Sequence, residues 1–471
     1  MIQWTILALY LGFIFFKGVS KARKIHSSDD FLVAGRDVRW FLLAATMGAT
    51  VIGGGYSIGA VGKSYEWGIL MVLVSMGGYM HFIFSGLVVA PRFREAELYT
   101  VAGYFGHRYD ERTRFVVLIL SLLFSVFIVA AQIAAIGSVL STLLPSVEGG
   151  SQAIKYAIII GGAIVIIYST AGGLLAVIHT DVYQFVILMA GFLLTLGFIA
   201  PDVITSWQSV SADVSSKFLK WDGGRGFTFL ITTFFAFLLG ETFAPGYATR
   251  YCIGKTVRDT KIGIGGIGFF LTLVFPLIVF FIALYAKVNF PDIEPQQALP
   301  VVIRELHNPI ISGIMIAALL SAVMSSADSA LNSATAIFTK DLFEHQLKWG
   351  GKGEAADKKI LKLARNWTII LGASSTLIAF LWSDIIELLL FTYHTWAPGI
   401  ILPVVLGATT KERSKSLNVS VFVTMIVAVA ATMVYRFTPY AATFDPAVFG
   451  VGTSVIVFFV ARFFTRGLKS G

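Results

Sequence analysis

The residues best able to hold a cation lie in one apolar stretch, Ala322-Val323-Met324-Ser325-Ser326-Ala327-Asp328-Ser329-Ala330-Leu331-Asn332-Ser333. At 3.6 residues per turn, Ala322, Ser325, Ser326, Ser329 and Ser333 share a helical face, with Asp328 and Asn332 beside it. Buried serines can also bond the preceding turn, so the stripe alone would equally suit packing. Asp328 shifts the balance, because a buried carboxylate needs a cation or a donor. A dehydrated Na⁺ is a hard cation that wants several oxygens, as Ca²⁺ does. A broken helix could supply the rest. In Ala49-Thr50-Val51-Ile52-Gly53-Gly54-Gly55-Tyr56, three consecutive glycines each cost about 1 kcal/mol in a helix interior relative to alanine. Packing motifs space small residues four apart, whereas these are contiguous, which predicts unwinding.

A second breakable run is Gly240-Glu241-Thr242-Phe243-Ala244-Pro245-Gly246, where Pro245 removes a backbone donor and Glu241 puts an acid at membrane depth. An acid at the bilayer centre costs about 2.5–3.5 kcal/mol on insertion scales, which marks it as functional unless it pairs or nears an interface. Asp181, in His179-Thr180-Asp181-Val182-Tyr183-Gln184, reads equally as a helix N-cap or as a site residue. His81, Gln132, Tyr393 and His394 are further polar residues at depth, and Pro398-Gly399 predicts a kink.

The surrounding elements follow from composition. The 471 residues are 56% hydrophobic and 13% charged, with mean hydropathy +0.79; soluble domains carry about 25% charged residues. The chain is predicted to be an all-α polytopic membrane protein. A membrane helix needs about 20 apolar residues. Thirteen stretches qualify: 2–18, 39–62, 67–91, 114–144, 153–171, 174–200, 226–249, 262–287, 309–340, 360–381, 385–409, 417–436 and 446–464. We number these spans 0 to 12. Span 0 reads as a retained helix rather than a cleaved signal. With the N-terminus outside and the C-terminus in the cytoplasm, 28 of the 36 basic residues fall in inside loops, Arg250 among them. Outside remain Lys63, Lys155, Lys217, Lys220, Arg225, Lys287, Arg304 and Arg436. That bias follows the positive-inside rule and accounts for the net charge of +9 without nucleic acid. The single Cys252 excludes an intrachain disulfide, and no His- or Cys-bearing constellation suggests an enzyme.

Four stretches carry a resemblance: Asp29-Asp30-Phe31-Leu32-Val33-Ala34-Gly35-Arg36, Gly54 to Gly59, Gly172 to Val177 with Thr180, Asp181 and Gln184, and Ala322 to Ser329. In this order they resemble the sodium/solute symporters, which include sodium–glucose, sodium–proline and high-affinity choline carriers. The resemblance implies a LeuT-type core in which spans 1–5 and 6–10 form inverted repeats, with one helix before and two after. One domain then covers 1–471, divided into a leading helix and loop (1–38), first repeat (39–200), second repeat (226–409) and trailing helices (410–471). It also implies a sodium ion held by the carbonyls of Ala49, Ile52 and Ala322 and the hydroxyls of Ser325 and Ser326. The second sodium of some members maps to Asp181, Asp328 and Ser329. Val51, Ile128 and Ala244 stand where choline carriers place tryptophans, while Tyr79 keeps one aromatic wall, so choline is not expected.

The sequence reading is a plasma-membrane carrier (inner membrane in a bacterium), monomeric or weakly oligomeric, coupling Na⁺ to a small organic solute without an organic cofactor. Interrupted spans at matched positions in two halves point to a site at the membrane midplane. The solute site is expected at Val51, Gly53, Tyr79, Ile128, Gln132, Glu241, Thr242, Phe243, Ala244, Tyr393 and His394, with Glu241 facing an amine or cation. Proton coupling through Asp181, Asp328 or Glu241 is the alternative, and a channel a more distant one.

Overall fold

The structure, a computed structural model, describes residues 2–22, 34–96, 98–141, 150–205, 217–349 and 354–466. The Asp29 to Val33 part of the signature lies outside the described residues. Sixteen helical elements are used below: α1 (Ile2–Ala22), α2 (Trp40–Val51), α3 (Gly55–Trp67), α4 (Leu70–Glu95), α5 (Val101–Arg108), α6 (Glu111–Ser141), α7 (Gly150–Thr205) and α8 (Phe227–Gly240). Then come α9 (Pro245–Ile253), α10 (Val257–Asn289), α11 (Ala298–Leu306), α12 (Pro309–Gln346), α13 (Glu354–Leu381), α14 (Ile385–Thr409), α15 (Lys415–Tyr435) and α16 (Pro446–Thr465). No strand occurs among the described residues.

Eight of these helices are long and apolar enough to cross a membrane, and ten spans result when each bent pair counts as one. The bent pairs are α2 with α3, turned by 61°, and α8 with α9, turned by 49°. Both breaks fall in the glycine and Glu-Pro runs. Two shorter apolar stretches, Ile2–Ile14 and Ile154–Thr170, are also helical.

Two expectations are corrected. No break separates spans 4 and 5, since α7 is helical throughout Gly150–Thr205. Its 56 residues would extend roughly 84 Å at 1.5 Å each, far beyond a hydrocarbon core of about 30 Å. It therefore carries two apolar stretches, Ile154–Thr170 and Val177–Val203. Asp181 consequently sits inside a helix and caps none. α14 is one helix containing Pro398 and Pro403.

The helices pack in two groups. In one, α6, α7, α12 and α13 contact one another; in the other, α4 and α10 pack against α2 and α8. The broken pairs lie between the groups, because α2 also touches α7 and α12, and α9 touches α12.

Candidate functional site

The glycine run is explained by three neighbours. A Cβ on Gly53 would collide with Ser326 of α12, one on Gly54 with Ala135 of α6, and one on Gly55 with Leu389 of α14. Only a bare backbone lets all three helices approach the break. Gly54 N–H, freed from helical bonding, donates to Gln132 Oε1 at 2.6 Å.

The last four carbonyls of a helix have no intrahelical donor, and Ala49 and Thr50 are among those of α2. Ser326 Oγ stands beside them: it donates to Thr50 O at 2.7 Å and lies 3.5 Å from Ala49 O and 3.3 Å from Ala322 O. Three expected sodium ligands, Ala49, Ala322 and Ser326, are thus gathered, with Ile52 in the turn that follows. Ser325 instead donates to Asp181 Oδ1. Asp181 Oδ2 accepts from Thr46 Oγ1 and from Arg250 Nη2, the latter at 3.1 Å. Both ends of this ion pair are fully buried, which corrects the count of Arg250 as a loop charge.

Of the residues mapped to a second sodium, Asp181 and Ser329 share Arg250 as a partner, while Asp328 takes a different one. Asp328 Oδ1 accepts from Ser169 of α7, and its Oδ2 is buried without a partner. Ser329 Oγ accepts from Arg250 Nη2 at 2.7 Å and donates to Ser325 O at 2.6 Å.

The second break is built around Glu241, the residue that follows α8. Phe243 adopts a positive φ of 64°, and Pro245 starts α9 at the position where its missing N–H costs least. Tyr247 donates to Glu241 Oε2 at 2.5 Å and Tyr393 to Oε1 at 2.6 Å. No ion pair reaches Glu241 among the described residues.

A small cavity of about 30 Å³ lies between the two breaks. Of the expected solute residues, Val51, Ile128, Gln132, Glu241 and Ala244 line it. Tyr79 packs against Tyr56 with ring centroids 4.8 Å apart and planes tilted by 42°, and Tyr393 donates to Glu241. Gly53 lies behind Ser326, Thr242 accepts from Trp396 through its carbonyl, and Phe243 is buried in the turn. His394 is not at the cavity: Arg436 Nη1 lies 2.9 Å from its Nδ1 and Asp445 3.6 Å from its Nε2. Sequence reasoning missed Tyr56, Phe124, Ser125, Tyr247 and Leu389 on the cavity wall. Tyr56 and Tyr247 flank the two breaks directly and were findable; Phe124, Ser125 and Leu389 sit in unbroken helices with no local signal.

A family model for the sodium:solute symporter family matches residues 31–416. The human high affinity choline transporter 1 is 26% identical over 373 residues, covering 75% of this chain and 62% of that protein. The Vibrio parahaemolyticus sodium/glucose cotransporter is 24% identical over 498 residues, covering 94% and 86%. The Aliivibrio fischeri sodium/sialic acid symporter NanT is 27% identical over 394 residues, covering 79% and 74%. Against choline transporters the chain spans about two thirds of their length. Among solved structures, a substrate-bound outward-open Na⁺-coupled sialic acid symporter superposes with TM-score 0.80 at 21% identity over 98% of both chains. MHP1, a nucleobase-cation-symport-1 family transporter, gives 0.58 at 14% identity over 93% of this chain and 95% of its own. These likenesses carry the LeuT-type fold. The relatives are transporters and not enzymes, and nothing among them favours proton coupling. With the family model matching most of its length and two broken apolar pairs at its centre, the chain belongs to the sodium:solute symporter family of multi-pass membrane proteins.

Proposed function

We propose that the chain is a secondary active transporter that brings a small organic solute into the cell together with Na⁺ by alternating access. The observation that carries this is the cluster of Ser326 Oγ with the carbonyls of Ala49, Thr50 and Ala322 at the 61° break. Unpaired carbonyls at membrane depth are stable only where they line a cavity or meet a partner, and a hard cation is such a partner. Sodium held by Ala49, Ile52, Ala322, Ser325 and Ser326 would fix α2 against α12 and complete the cavity. Rocking of the group holding α2, α4, α8 and α10 then exposes both ligands to the other side. Thirteen spans, with 39–200 and 226–409 as inverted repeats and the N-terminus outside, fit this cycle. Each charge crossing 100 mV gains about 2.3 kcal/mol and a decade of concentration takes about 1.4, so voltage alone supports roughly 1.6 decades per sodium.

The solute in this reading carries an amine or other cation. Glu241 has two hydroxyl donors and no cation among the described residues, which favours a positive guest. Tyr56, Phe124 and Tyr247 put three rings on the same cavity, and cations are attracted to ring faces. Ser125 Oγ, buried without a partner on that wall, is free to bond a polar group of the guest. The test is a thermal-shift screen of amines, amino acids, sugars and carboxylates, in Na⁺ and in K⁺, followed by counterflow in vesicles. Sodium-dependent stabilisation confined to amines is expected. Stabilisation by sugars or carboxylates but not amines would contradict the assignment of Glu241, and equal shifts in K⁺ would contradict sodium coupling.

A further inference from the structure

Asp181 sits at the centre of an oxygen-rich cradle shared by α2, α7 and α12. Its Oδ1 accepts from Ser325 Oγ and its Oδ2 from Thr46 Oγ1. Ser329 Oγ lies opposite, and Thr50 Oγ1 is 3.4 Å from it. A carboxylate ringed by hydroxyl oxygens is a donor set suited to a hard cation. The charge found there belongs to the chain. Arg250 reaches in from α9, placing Nη2 3.1 Å from Asp181 Oδ2 and 2.7 Å from Ser329 Oγ, with Nε 3.3 Å from Thr46 Oγ1 and Nη1 donating to Gly246 O at 3.2 Å. The guanidinium is fully buried, so this is no surface contact. Asp328 takes a different partner, accepting from Ser169 of α7, and makes no contact with Arg250 among the described residues. Ser325 links the cradle to the sodium cluster: its proton goes to Asp181, which leaves its oxygen lone pairs available to an ion beside Ser326.

We propose that Arg250 is a tethered cation that fills the place a second sodium would take, so that the chain binds one Na⁺ per cycle, while the Asp181–Arg250 pair orients Ser325 as a ligand for that ion. The proposal rests on the sodium-coupled reading above, and its test separates the two. Equilibrium binding of ²²Na⁺ to the purified full-length protein is counted per chain as Na⁺ is raised. The wild type and Arg250→Lys are expected to bind one ion, Arg250→Gln two, and the double variant Asp181→Asn with Arg250→Gln one again. Two ions on the wild type would overturn the tethered cation and leave sodium coupling standing; none on the wild type would overturn sodium coupling itself. The unfolding midpoint of Arg250→Gln is expected to rise more steeply with Na⁺ than that of the wild type, because an added ion binds the folded state. An unchanged Na⁺ dependence of that midpoint would also overturn the proposal. Where Arg250→Gln does not accumulate, the double variant, which buries no unpaired charge, decides: a second ion on it would show that the cradle's charge is irrelevant and the proposal wrong.

Discussion

At the residue scale, the site depends on a few oxygens whose partners are fixed by neighbours. Replacing Ser325 and Ser326 together with alanine removes two of the five expected sodium ligands while deleting only hydroxyls, so ²²Na⁺ binding should fall to background with expression intact. Retained binding of wild-type affinity would show that the ion lies elsewhere. Glu241→Gln keeps the shape and one tyrosine donor, makes the other tyrosine an acceptor from the new amide N–H, and removes the charge. Amine-induced stabilisation should weaken by one to two decades in apparent affinity, equivalent to about 1.4–2.8 kcal/mol. An unchanged amine titration would exclude Glu241 as the counter-charge. Much of this chemistry was legible in the sequence, because an acid, a serine stripe and a glycine run are improbable choices inside hydrocarbon. Arg250 was not. It stands at the boundary of an apolar stretch, where a basic residue ordinarily marks the cytoplasmic rim, and only the fold shows that α9 turns it inward to Asp181. His394 failed for the converse reason: depth was readable, but its direction toward Arg436 and Asp445 was not.

At the scale of elements, the two breaks exist because their sequences cannot carry a straight helix and their neighbours occupy the vacated space. Gly53→Ala tests this, since the new Cβ would meet Ser326 Oγ and Cβ and the Gln132 amide oxygen at once. Overpacking of that kind costs about 1–3 kcal/mol. A lower unfolding midpoint together with weakened ²²Na⁺ binding is expected. Loss of stability with sodium binding intact would mean that the break and the ion site are independent. Breaks were readable because contiguous glycines and an internal Glu-Pro run act locally. The seam within α7 was misread because Gly172-Gly173 is equally compatible with a loop and with continued helix, and α7 is helical through it.

At the scale of the whole molecule, composition already pointed to a membrane protein, and the distribution of basic residues predicts an N-terminus outside, which labelling tests. Cys252 is buried, so single cysteines placed at exposed loop positions report topology against a quiet background. Tyr440→Cys, between α15 and α16, should react with an impermeant maleimide on intact cells, and Lys411→Cys only after permeabilisation. The reverse pattern would invert the proposed orientation. The central claim is that sodium joins the broken α2–α3 pair to the serine face of α12. Amide hydrogen exchange reads this directly and needs no solute, because bound ions suppress local opening where they bind. Exchange at residues 49–57 and 322–329 should slow when K⁺ is replaced by Na⁺ in the wild type, and should not change in Ser326→Ala. Identical exchange of both segments in the two salts would contradict the account.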